Sequence, residues 1–415
     1  MKIAIIGSGI SGLTAGYLLN RNHDISIYEA NDYIGGHTHT HHIKLDNNNY
    51  AVDTGFIVYN ERTYPNFIKL LDQLGVERQL STMGFSVKSV NEDYEYSGES
   101  LNTLFAKRSN IFRVGFLRML YEMYKFGKEA DASGAGLDST ITLGQFLKSK
   151  KYSEEFIHYF ITPMGAAIWS TPARKVLDMP AYFFIKFFYN HGMLEIVNRP
   201  KWWVIKNGSS QYIKKIIKGF ENKIHLSSAV VKVSRSKEGV EIFLSNHNET
   251  LKFDAVIFAT HSDQALKLLD RPTELESEIL QAFPYQKNDV MLHTDSSVLP
   301  TRKLAWASWN YQLDRDPSAP VVLTYNMNIL QSIKANETFC VTLNDFNSVD
   351  QNKVIKKITY HHPLFTFDSI KAQKRKHEIS GSNNTYYCGA YWRNGFHEDG
   401  VVSALDVCEQ FGEVL

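Results

Sequence analysis

The chain has few cysteines, almost no net charge and no long hydrophobic run. Its three cysteines, Cys340, Cys388 and Cys408, form no CxxC pair and no disulfide framework, which is typical of a reducing compartment. A net charge of +1 at pH 7 argues against a nucleic-acid partner, because such proteins carry a marked basic excess. The longest aromatic run, residues 181–189, contains a lysine and is too short to span a bilayer. We therefore expect a soluble, cytoplasmic protein.

The composition does provide the material for a large core. The 415 residues are 43% hydrophobic and 13% aromatic, which excludes global disorder. A chain of this length exceeds what one hydrophobic core usually serves, so two domains are expected. No internal repeat, low-complexity tract or long linker separates them, and we expect the two domains to interleave.

The N-terminal segment carries the strongest motif. An apolar strand at residues 2–6 runs directly into the glycine turn Gly7-Ser8-Gly9-Ile10-Ser11-Gly12. In this GxGxxG pattern the first glycine allows a tight turn, the second lets a pyrophosphate approach the backbone, and the third lets the next helix pack on the strand. That helix, expected from Leu13 to about Leu19, points its N-terminal amides and its dipole at the diphosphate.

A second strand, residues 25–28, ends at Glu29, about where an acid should accept hydrogen bonds from ribose hydroxyls. Strand, glycine turn, helix and acid together predict a dinucleotide-binding domain. A signal peptide is the alternative for the same segment, since Lys2 precedes an apolar stretch. Three glycines interrupt that stretch, however, and no small-residue cleavage site precedes residues 20–22.

Hydrophobic periodicity predicts the remaining elements. The middle third of the chain is rich in helix signals, and strand signals dominate after it. Helices are expected at residues 64–74, 114–127, 143–168, 179–188 and 401–411. Strands are expected at residues 223–226, 229–233, 240–244, 255–259, 287–293 and 386–389.

The paired glycines Gly35-Gly36 follow the ribose acid, where missing side chains let backbone amides contact a diphosphate or a flavin ribityl chain. With the glycine turn, Glu29, Asp53-Thr54-Gly55 and a glycine-rich C-terminal segment, the chain resembles the flavin-containing amine oxidase and phytoene desaturase superfamily. In those enzymes an arginine usually follows the paired glycines. Here His37 stands instead, which leaves open how the flavin edge and the diphosphate are neutralised.

A closer resemblance is to a bacterial family of amine-oxidase-like NAD/FAD-binding oxidoreductases. It is carried by segments that spread along the whole chain: residues 35–38, 53–60, 63–66, 306–311, 389–392 and 395–400. Similar domains are fused to cyclopropane fatty-acid synthases in plants, and bacterial relatives are associated with lipid-modifying enzymes. The resemblance therefore implies a link to acyl-chain substrates and lipid metabolism.

The resemblance implies an α/β fold, with a Rossmann-type FAD-binding domain and an interleaved α+β substrate domain. The FAD-binding domain is expected to comprise residues 1–80, 200–268 and 381–415. The substrate domain, with a helical cap, takes residues 81–199 and 269–380.

FAD is favoured over NAD because NAD dehydrogenases need neither the paired glycines nor the C-terminal motif, and its attachment is expected to be non-covalent. The residues expected to bind it are Gly7, Ser8, Gly9, Ile10, Ser11, Gly12, Glu29, Ala30, Gly35, Gly36, His37, Thr38, Gly55, Phe56, Ile57, Val230, Val231, Gly389, Glu398, Asp399 and Gly400.

The candidate catalytic residues come from the same resemblance. Phe396 and His397 would lie near the isoalloxazine face, where His397 could exchange protons with substrate or could merely hydrogen-bond the loop. Amine oxidases often carry a lysine bridged by water to the flavin. Lys287 and His293 are candidates for that place, although a surface lysine and a core histidine are the alternative.

Three further patterns point to ligands less directly. His37, His39 and His41 alternate, but no further ligand follows at a recognisable spacing, so no metal is expected. The aromatic run 181–189 could line a substrate tunnel or touch a membrane, and core packing of the cap is favoured. The basic cluster Lys371, Lys374, Arg375 and Lys376 could meet anionic lipid headgroups, and a solvated face is favoured.

The predicted function is hydride abstraction from a C–H bond of an apolar substrate by FAD. That substrate could be an unsaturated acyl chain or an amine, as in an amine oxidase proper. A different class stays open, because guanine-nucleotide dissociation inhibitors share this fold and bind prenylated proteins without flavin chemistry. The sequence does not determine the oligomeric state or the electron acceptor.

Overall fold

A computed structural model describes residues 1–89, 92–133, 139–193, 195, 199–245, 250–313, 316 and 318–415, with the backbone alone for 130–133. We number the elements in chain order. The strands β1 to β20 are Lys2–Ile6, Asp24–Tyr28, Thr40–Leu45, Asn48–Asp53, Val58–Asn60, Arg78–Ser81, Phe85–Ser89, Tyr94–Ser97, Trp202–Ile205, Ile224–His225, Val230–Ser236, Gly239–Leu244, Leu251–Phe253, Ala255–Phe258, Tyr285–His293, Trp309–Leu313, Val322–Asn326, Cys340–Leu343, Val354–Pro363 and Thr385–Tyr387.

The helices α1 to α16 are Ile10–Leu19, Pro65–Gln73, Leu101–Leu104, Val114–Ser133, Leu143–Ser149, Glu154–Phe156, Thr162–Trp169, Ala173–Asp178, Ala181–Asn190, Ser210–Ile216, Ser262–Leu268, Glu274–Gln281, Met327–Leu330, Phe367–Lys374, Lys376–Ile379 and His397–Glu409. A π-helical turn at Ile157–Ile161 and a 3₁₀ turn at Arg108–Phe112 join neighbouring helices.

A five-stranded parallel sheet forms the first layer, in the order β10-β2-β1-β14-β20. Its central strands are continuous apolar runs, because both faces of the sheet are buried. Helices α1 and α16 cover one face, and the antiparallel sheet β11-β12-β13 packs with α12 over the other. The carboxyl ends of the strands meet at one edge, as they must in a parallel sheet. That edge therefore collects Gly7, Glu29, Ala259 and Cys388 from distant parts of the sequence, in the place where such folds bind nucleotides.

The last helix packs against the first at this same edge. Gly400 of α16 allows the approach, since a Cβ there would lie 2.7 Å from Ile10 Cγ2 of α1. The backbone N–H of Gly389 donates to Ser403 Oγ of α16 at 2.9 Å and ties the end of β20 to the helix. The glycine turn and the C-terminal motif are therefore neighbours in space.

A seven-stranded sheet, in the order β19-β15-β18-β17-β16-β7-β8, forms the second body, and only its β16–β7 pair is parallel. Helices α4 to α9 pack over it around a core that is rich in phenylalanine. The aromatic run 181–189 falls on α9 and buries Phe183, Phe184, Phe187 and Phe188 in this core, which agrees with core packing and leaves substrate contact by Phe187 to be tested. None of the helices in the described ranges has both the length and the hydrophobicity needed to cross a bilayer.

The expected single helix over 143–168 is wrong. Helix α5 ends at Ser149, and Lys151 adopts a left-handed conformation with φ of 56°. Ser153 then caps a new helix by accepting the N–H of Phe156, while its own N–H donates to buried Glu122 of α4 at 3.1 Å. Local capping interactions of this kind override the apolar periodicity.

One helix boundary and one domain assignment also differ from the sequence-based expectation. Helix α16 begins at His397 rather than about Val401, because Asp399 accepts the N–H of Phe396 and so holds the first turn of the helix. Helices α12, α14 and α15 lie in segments assigned to the substrate domain. Their apolar side chains nevertheless join the core of the parallel sheet, where Ile279, Ala372 and Ile379 share one cluster with Val256 and Tyr387.

Candidate active site

The glycine turn leaves a helix N-terminus open to a ligand. Gly9 precedes α1, no side chain caps the helix, and its first turn holds no acid. A Cβ at Gly9 would meet nothing within 4 Å, whereas one at Gly12 would lie 2.0 Å from Gly7 O. Gly12 is thus required for packing, and Gly9 borders open space. Free amides beside open space fit a diphosphate.

Glu29 lies at the end of β2, beside this turn. Its carboxylate accepts the N–H and hydroxyl of Ser8 at 2.9 and 2.7 Å, and the N–H and side-chain amide of Asn31, both at 2.9 Å. The two backbone donors hold the carboxylate in place. The Ser8 and Asn31 side chains can rotate away, so each carboxylate oxygen can accept a ribose hydroxyl in their stead.

The residues expected at the adenosine end differ in burial. Ala30 is exposed, Val230 is buried at the start of β11, and the Val231 side chain is 51% exposed. The chain just before them is tied to the acid, since the N–H of Ser228 donates to Glu29 O at 2.8 Å. Val230 is therefore close to the ribose acid, while Val231 points to solvent.

Further glycines converge on the turn. A Cβ at Gly36 would lie 3.2 Å from Gly9 Cα, and one at Gly55 would lie 2.0 Å from His37 O. Gly35 and Gly36 have φ values of 126° and 57°, the region that favours glycine. Three loops therefore approach one another along their backbones.

The acids at the start of α16 turn their side chains inward. Glu398 accepts the N–H groups of Asn66 and Phe67 at 3.1 and 2.8 Å and so caps α2. Asp399 accepts the N–H of Phe396 at 2.9 Å, and burial raises the pKa of its carboxyl to about 7. Because both side chains are engaged within the chain, only their backbone amides are available to a cofactor.

His397 is buried within a hydrogen-bonded group. Its Nε2 lies 2.9 Å from Thr38 Oγ1 and 3.3 Å from the Tyr212 hydroxyl, and its ring stacks on Phe56 with centroids 3.5 Å apart. Ile57, the residue after Phe56, is also buried. Burial lowers the pKa of His397 well below its ordinary value, so the ring is neutral at pH 7.

A histidine cluster forms around His37, the residue that follows the paired glycines. It consists of His37, His261, His361 and His362, with the His37 ring 6.1 Å from His261 and 5.5 Å from His362. Nε2 of His37 is buried and has no partner among the described residues. Burial lowers the pKa of His37 to about 3, so its ring is uncharged at neutral pH.

The sequence argument missed most of this cluster. His261 follows β14, and its ring stacks on Tyr285 at 4.4 Å, while burial lowers its pKa to about 4. His362 on β19 lies 3.0 Å from the side-chain amide of Asn288, and burial lowers its pKa to about 3. The sequence places His261 just after a strand of the parallel sheet, and this position could have marked it as a site residue. The contribution of His362 could not be found in this way, because it depends on the pairing of β19 with β15.

His37, His39 and His41 do not share one face of a strand, although their alternation in the sequence suggested it. Strand β3 begins only at Thr40, so His37 joins the histidine cluster while His39 and His41 contact each other at 4.1 Å. Within the described ranges, no three His, Cys, Asp or Glu side chains form a group that could hold a metal ion.

Lys287 and His293 are engaged elsewhere on β15, although Lys287 lies opposite His361 of the histidine cluster in the register of β15 on β19. Lys287 has a side chain that is 60% exposed and pairs with Asp289 at 3.0 Å. It faces away from buried Asn288, because successive strand residues point to opposite faces. His293 is buried at the far end of β15, where it contacts Thr342 Oγ1 at 2.8 Å and accepts the N–H of Asp295. Both have the structural surroundings that were the alternative in the sequence argument.

An aromatic cap covers Phe396, the residue before His397. Phe396 contacts Phe187 of α9 at 5.2 Å and His191 at 6.1 Å between ring centroids. The aromatic cap is completed by Trp169, whose ring lies 4.8 Å from that of Phe187, and by Phe183, which contacts Trp169 at 5.8 Å and stacks on Phe365 at 4.9 Å. Burial lowers the pKa of His191 to about 4, so this surface is apolar and uncharged at neutral pH.

A parallel sheet with an open glycine-rich helix start, a ribose acid and a converging C-terminal helix defines a dinucleotide-binding protein. The chain matches the family model described as flavin containing amine oxidoreductase over residues 10–309. It belongs to that family, and it is an oxidoreductase with FAD as its cofactor. The open amides at Gly9 and the glycine contacts fit such a cofactor.

Known proteins with similar folds act on different substrates. The fold is similar to that of a CLA-producing fatty acid isomerase from P. acnes (TM-score 0.72, 16% identity, 99% of this chain and 98% of that chain). It is also similar to cyclohexylamine oxidase from Brevibacterium oxydans IH-35A (TM-score 0.68, 14% identity, 99% of each chain). In sequence, zeta-carotene desaturase from Arabidopsis thaliana is 30% identical over 94 residues, which are 22% of this chain and 16% of that relative.

Proposed function

We propose that this protein oxidises an apolar acyl-chain substrate by removing a hydride from one of its C–H bonds. The observation that carries the proposal is the aromatic cap on Phe396. Phe187 is fully apolar, and His191 is neutral because burial lowers its pKa. An acyl chain is stabilised in such surroundings by burial of its methylenes, at about 0.8 kcal/mol each.

The carboxylates near the cap give an amine substrate no anionic partner. A protonated amine in a buried site needs either such a partner or an array of ring faces, and here only the rings of the cap could serve. Glu398 is used by the N-terminus of α2, and Asp399 is used by the N–H of Phe396. Neither side chain is free to pair with a cation bound beside Phe396.

Residues of three loops would hold FAD. The amides after Gly9 would bind the diphosphate, Glu29 the ribose, and Gly36 and Gly55 would let the chain of the cofactor pass close to the backbone. The chemistry that FAD supplies when bound is acceptance of the hydride. The start of α16 would place positive helix-end potential and backbone amides near the charge that develops in that step.

His397 has a supporting role in this proposal. Thr38 and Tyr212 fix its Nε2, and the stacked Phe56 fixes the plane of its ring. Because the ring is neutral, it is able to accept a proton from the substrate, and its lowered pKa makes it a weak base. The apolar cap would exclude water from the reacting carbon.

Two of the similar proteins support an apolar substrate by their names, a fatty acid isomerase and a carotene desaturase. Cyclohexylamine oxidase has the same fold, so the fold alone does not choose between the substrate classes.

The test is anaerobic reduction of bound flavin in the purified holoprotein, followed as loss of its visible absorbance. One panel contains unsaturated fatty acids and phospholipids that carry them, and the other contains primary amines. We expect members of the acyl panel to bleach the flavin and to yield products that lack two hydrogens. Bleaching by amines alone would refute the proposal.

A pair of neighbouring variants separates substrate contact from general packing. Phe187→Leu removes a ring that contacts Phe396, whereas Phe188→Leu removes an equally buried ring that stacks on Phe184. We expect Phe187→Leu to raise the acyl concentration needed for half-maximal bleaching, and Phe188→Leu to leave it close to that of the parent. Equal effects would mean that the cap does not contact the substrate.

A further inference from the structure

Helix α4 exposes an apolar stripe to solvent. Its buried face carries Phe116, Met119 and Phe126, but Val114, Leu117, Tyr121 and Tyr124 lie on the opposite side at helical spacing. The turn before the helix adds Ile111 and Phe112. We call these six exposed residues the α4 surface: Ile111, Phe112, Val114, Leu117, Tyr121 and Tyr124.

The exposure of this surface is extreme for large apolar side chains. Phe112 is 87% exposed and Val114 is 81% exposed. Single exposed apolar residues are common on proteins, but six that are clustered mark a contact with another molecule.

The charged residues around the α4 surface are mostly basic. Residues 101–128 contain the buried acid Glu122 and six bases, namely Lys107, Arg108, Arg113, Arg118, Lys125 and Lys128, while Glu129 follows on the same helix and Glu155 lies beside Gly115 at its start. Lys107 is buried and pairs with Asp93. Arg118 and Lys125 form ion pairs within α4. Arg108, Arg113 and Lys128 have no ion pair with any of the described residues, and Arg113 and Lys128 lie over tyrosine rings.

We infer that the α4 surface docks on an anionic lipid bilayer. Apolar side chains that protrude from a helix, tyrosines at the interface and a ring of cations are the features that hold an amphipathic helix in the headgroup region. Each cation near the surface of an anionic leaflet adds attraction. The inference concerns where the protein resides and does not depend on the identity of its substrate.

A second copy of the chain is a poorer occupant. A two-fold dimer through this surface would bring the same patch of each subunit together. The unpaired Arg108, Arg113 and Lys128 of one copy would then face those of the other, and like charges in an interface cost affinity.

The surface lies one helix away from the aromatic cap. Helix α4 packs against α9, and Phe187 of α9 contacts Phe396. Phe116 and Phe126 on the inner face of α4 share a core with the rings of the cap. Docking through α4 would therefore bring the cap close to bilayer acyl chains.

The two segments that the sequence suggested for membrane contact are weaker candidates than the α4 surface. The aromatic run 181–189 is mainly buried on α9. In the basic cluster, Arg375 pairs with Glu278 and Glu378, and Lys376 pairs with Asp406. These two cations are paired with acids, unlike Arg108, Arg113 and Lys128 beside α4.

The experiment is co-sedimentation of the purified holoprotein with vesicles of phosphatidylglycerol and phosphatidylcholine, compared with vesicles of phosphatidylcholine alone. We expect binding to the anionic vesicles that weakens as salt is raised. The double variants Phe112→Ser/Val114→Ser and Arg108→Glu/Arg113→Glu should each lower the partition coefficient by about tenfold or more.

Matched double variants at other exposed sites serve as controls. Leu275→Ser/Ile355→Ser removes exposed apolar side chains elsewhere, and Lys252→Glu/Lys267→Glu makes the same charge change elsewhere. Both should bind vesicles like the parent. Flavin absorbance and thermal unfolding check that each variant is folded.

Three outcomes would overturn the inference. The parent could stay in the supernatant with every vesicle, or the α4 variants could bind as well as the controls. A parent that is dimeric in solution, does not bind vesicles and becomes monomeric in Phe112→Ser/Val114→Ser would assign the surface to self-association instead.

Discussion

Gly400 in the last helix lies against Ile10 in the first, and a Cβ on Gly400 would be only 2.7 Å from Ile10 Cγ2. The same Cβ would be 3.0 Å from Ser11 Oγ. The absence of a side chain at Gly400 therefore lets the C-terminal motif reach the glycine turn. Both ends of the proposed FAD site depend on this contact.

Gly400→Val should lower stability and FAD content together. The added side chain has no room between α1 and α16, and overpacking of this kind costs about 1–3 kcal/mol. Thermal unfolding and flavin content per protein measure the two effects. Gly98→Val is the control, since a Cβ there would meet only Phe85 O at 3.8 Å. Parental stability and flavin content in Gly400→Val would contradict the packing argument.

Glu29→Ala should weaken FAD binding by about tenfold or more, because hydrogen bonds to a charged group contribute about 1.5–3 kcal/mol. Asn31→Ala removes only one of the four donors to this carboxylate and should change the FAD dissociation constant much less. Quenching of flavin fluorescence on titration of the apoprotein gives both constants. Similar losses in the two variants would mean that the carboxylate does not contact the cofactor.

Stability should fall as the pH drops from about 6.5 towards 4. Burial lowers the pKa of His37, His261 and His362 to about 3, 4 and 3 from the ordinary value of 6.5. In that window the unfolded chain binds protons that the folded protein does not, so acid favours unfolding. His362→Gln should flatten the fall of melting temperature with pH. An unchanged slope would show that this histidine is not held neutral.

Asp399 should change the pH dependence of stability in the opposite direction to these histidines. Burial raises the pKa of its carboxyl to about 7, so between about pH 4 and 7 the folded protein binds a proton that the unfolded chain has lost. Its contribution to stability is present at low pH and is lost as the pH rises through 7. Asp399→Asn should therefore steepen the loss of stability on acidification, as measured by melting temperature across the same pH series.

His397→Gln should slow flavin bleaching by the acyl substrate by about a hundredfold, the typical contribution of a positioned proton-transfer group. FAD content should be unchanged. Thr38→Val removes one hydrogen bond to Nε2 and leaves the ring in place, so its effect on the rate should be much smaller. If both variants bleach at the parental rate, His397 serves only to hold the loop.

The nucleotide end of the site could be predicted from the sequence because its signals are local. The strand, glycines and acid between Lys2 and Glu29 are consecutive, and each residue type has one physical reason to be there. The fold class and the FAD cofactor were confirmed for the same reason. The start of α16 was expected too late, because the capping by Asp399 is not visible in apolar periodicity.

The substrate side could not be predicted, because it depends on pairing between distant strands and helices. His362 meets His37 only through the register of β19 on β15. The α4 surface gives the ordinary helical pattern of apolar residues, and only the structure shows which of them face solvent. Lys287 fitted a loose motif, but strand alternation turns it outward to Asp289.

The central claim is that FAD lies between the glycine turn and the start of the final helix. The visible spectrum of the purified protein tests it most directly, with Gly9→Val beside the parent, since a side chain at Gly9 enters open space and not the protein core. The account predicts a yellow parent, a colourless Gly9→Val and equal melting temperatures for the two apoproteins. A parent that takes up no FAD on reconstitution, or a Gly9→Val variant with full flavin occupancy, would contradict it.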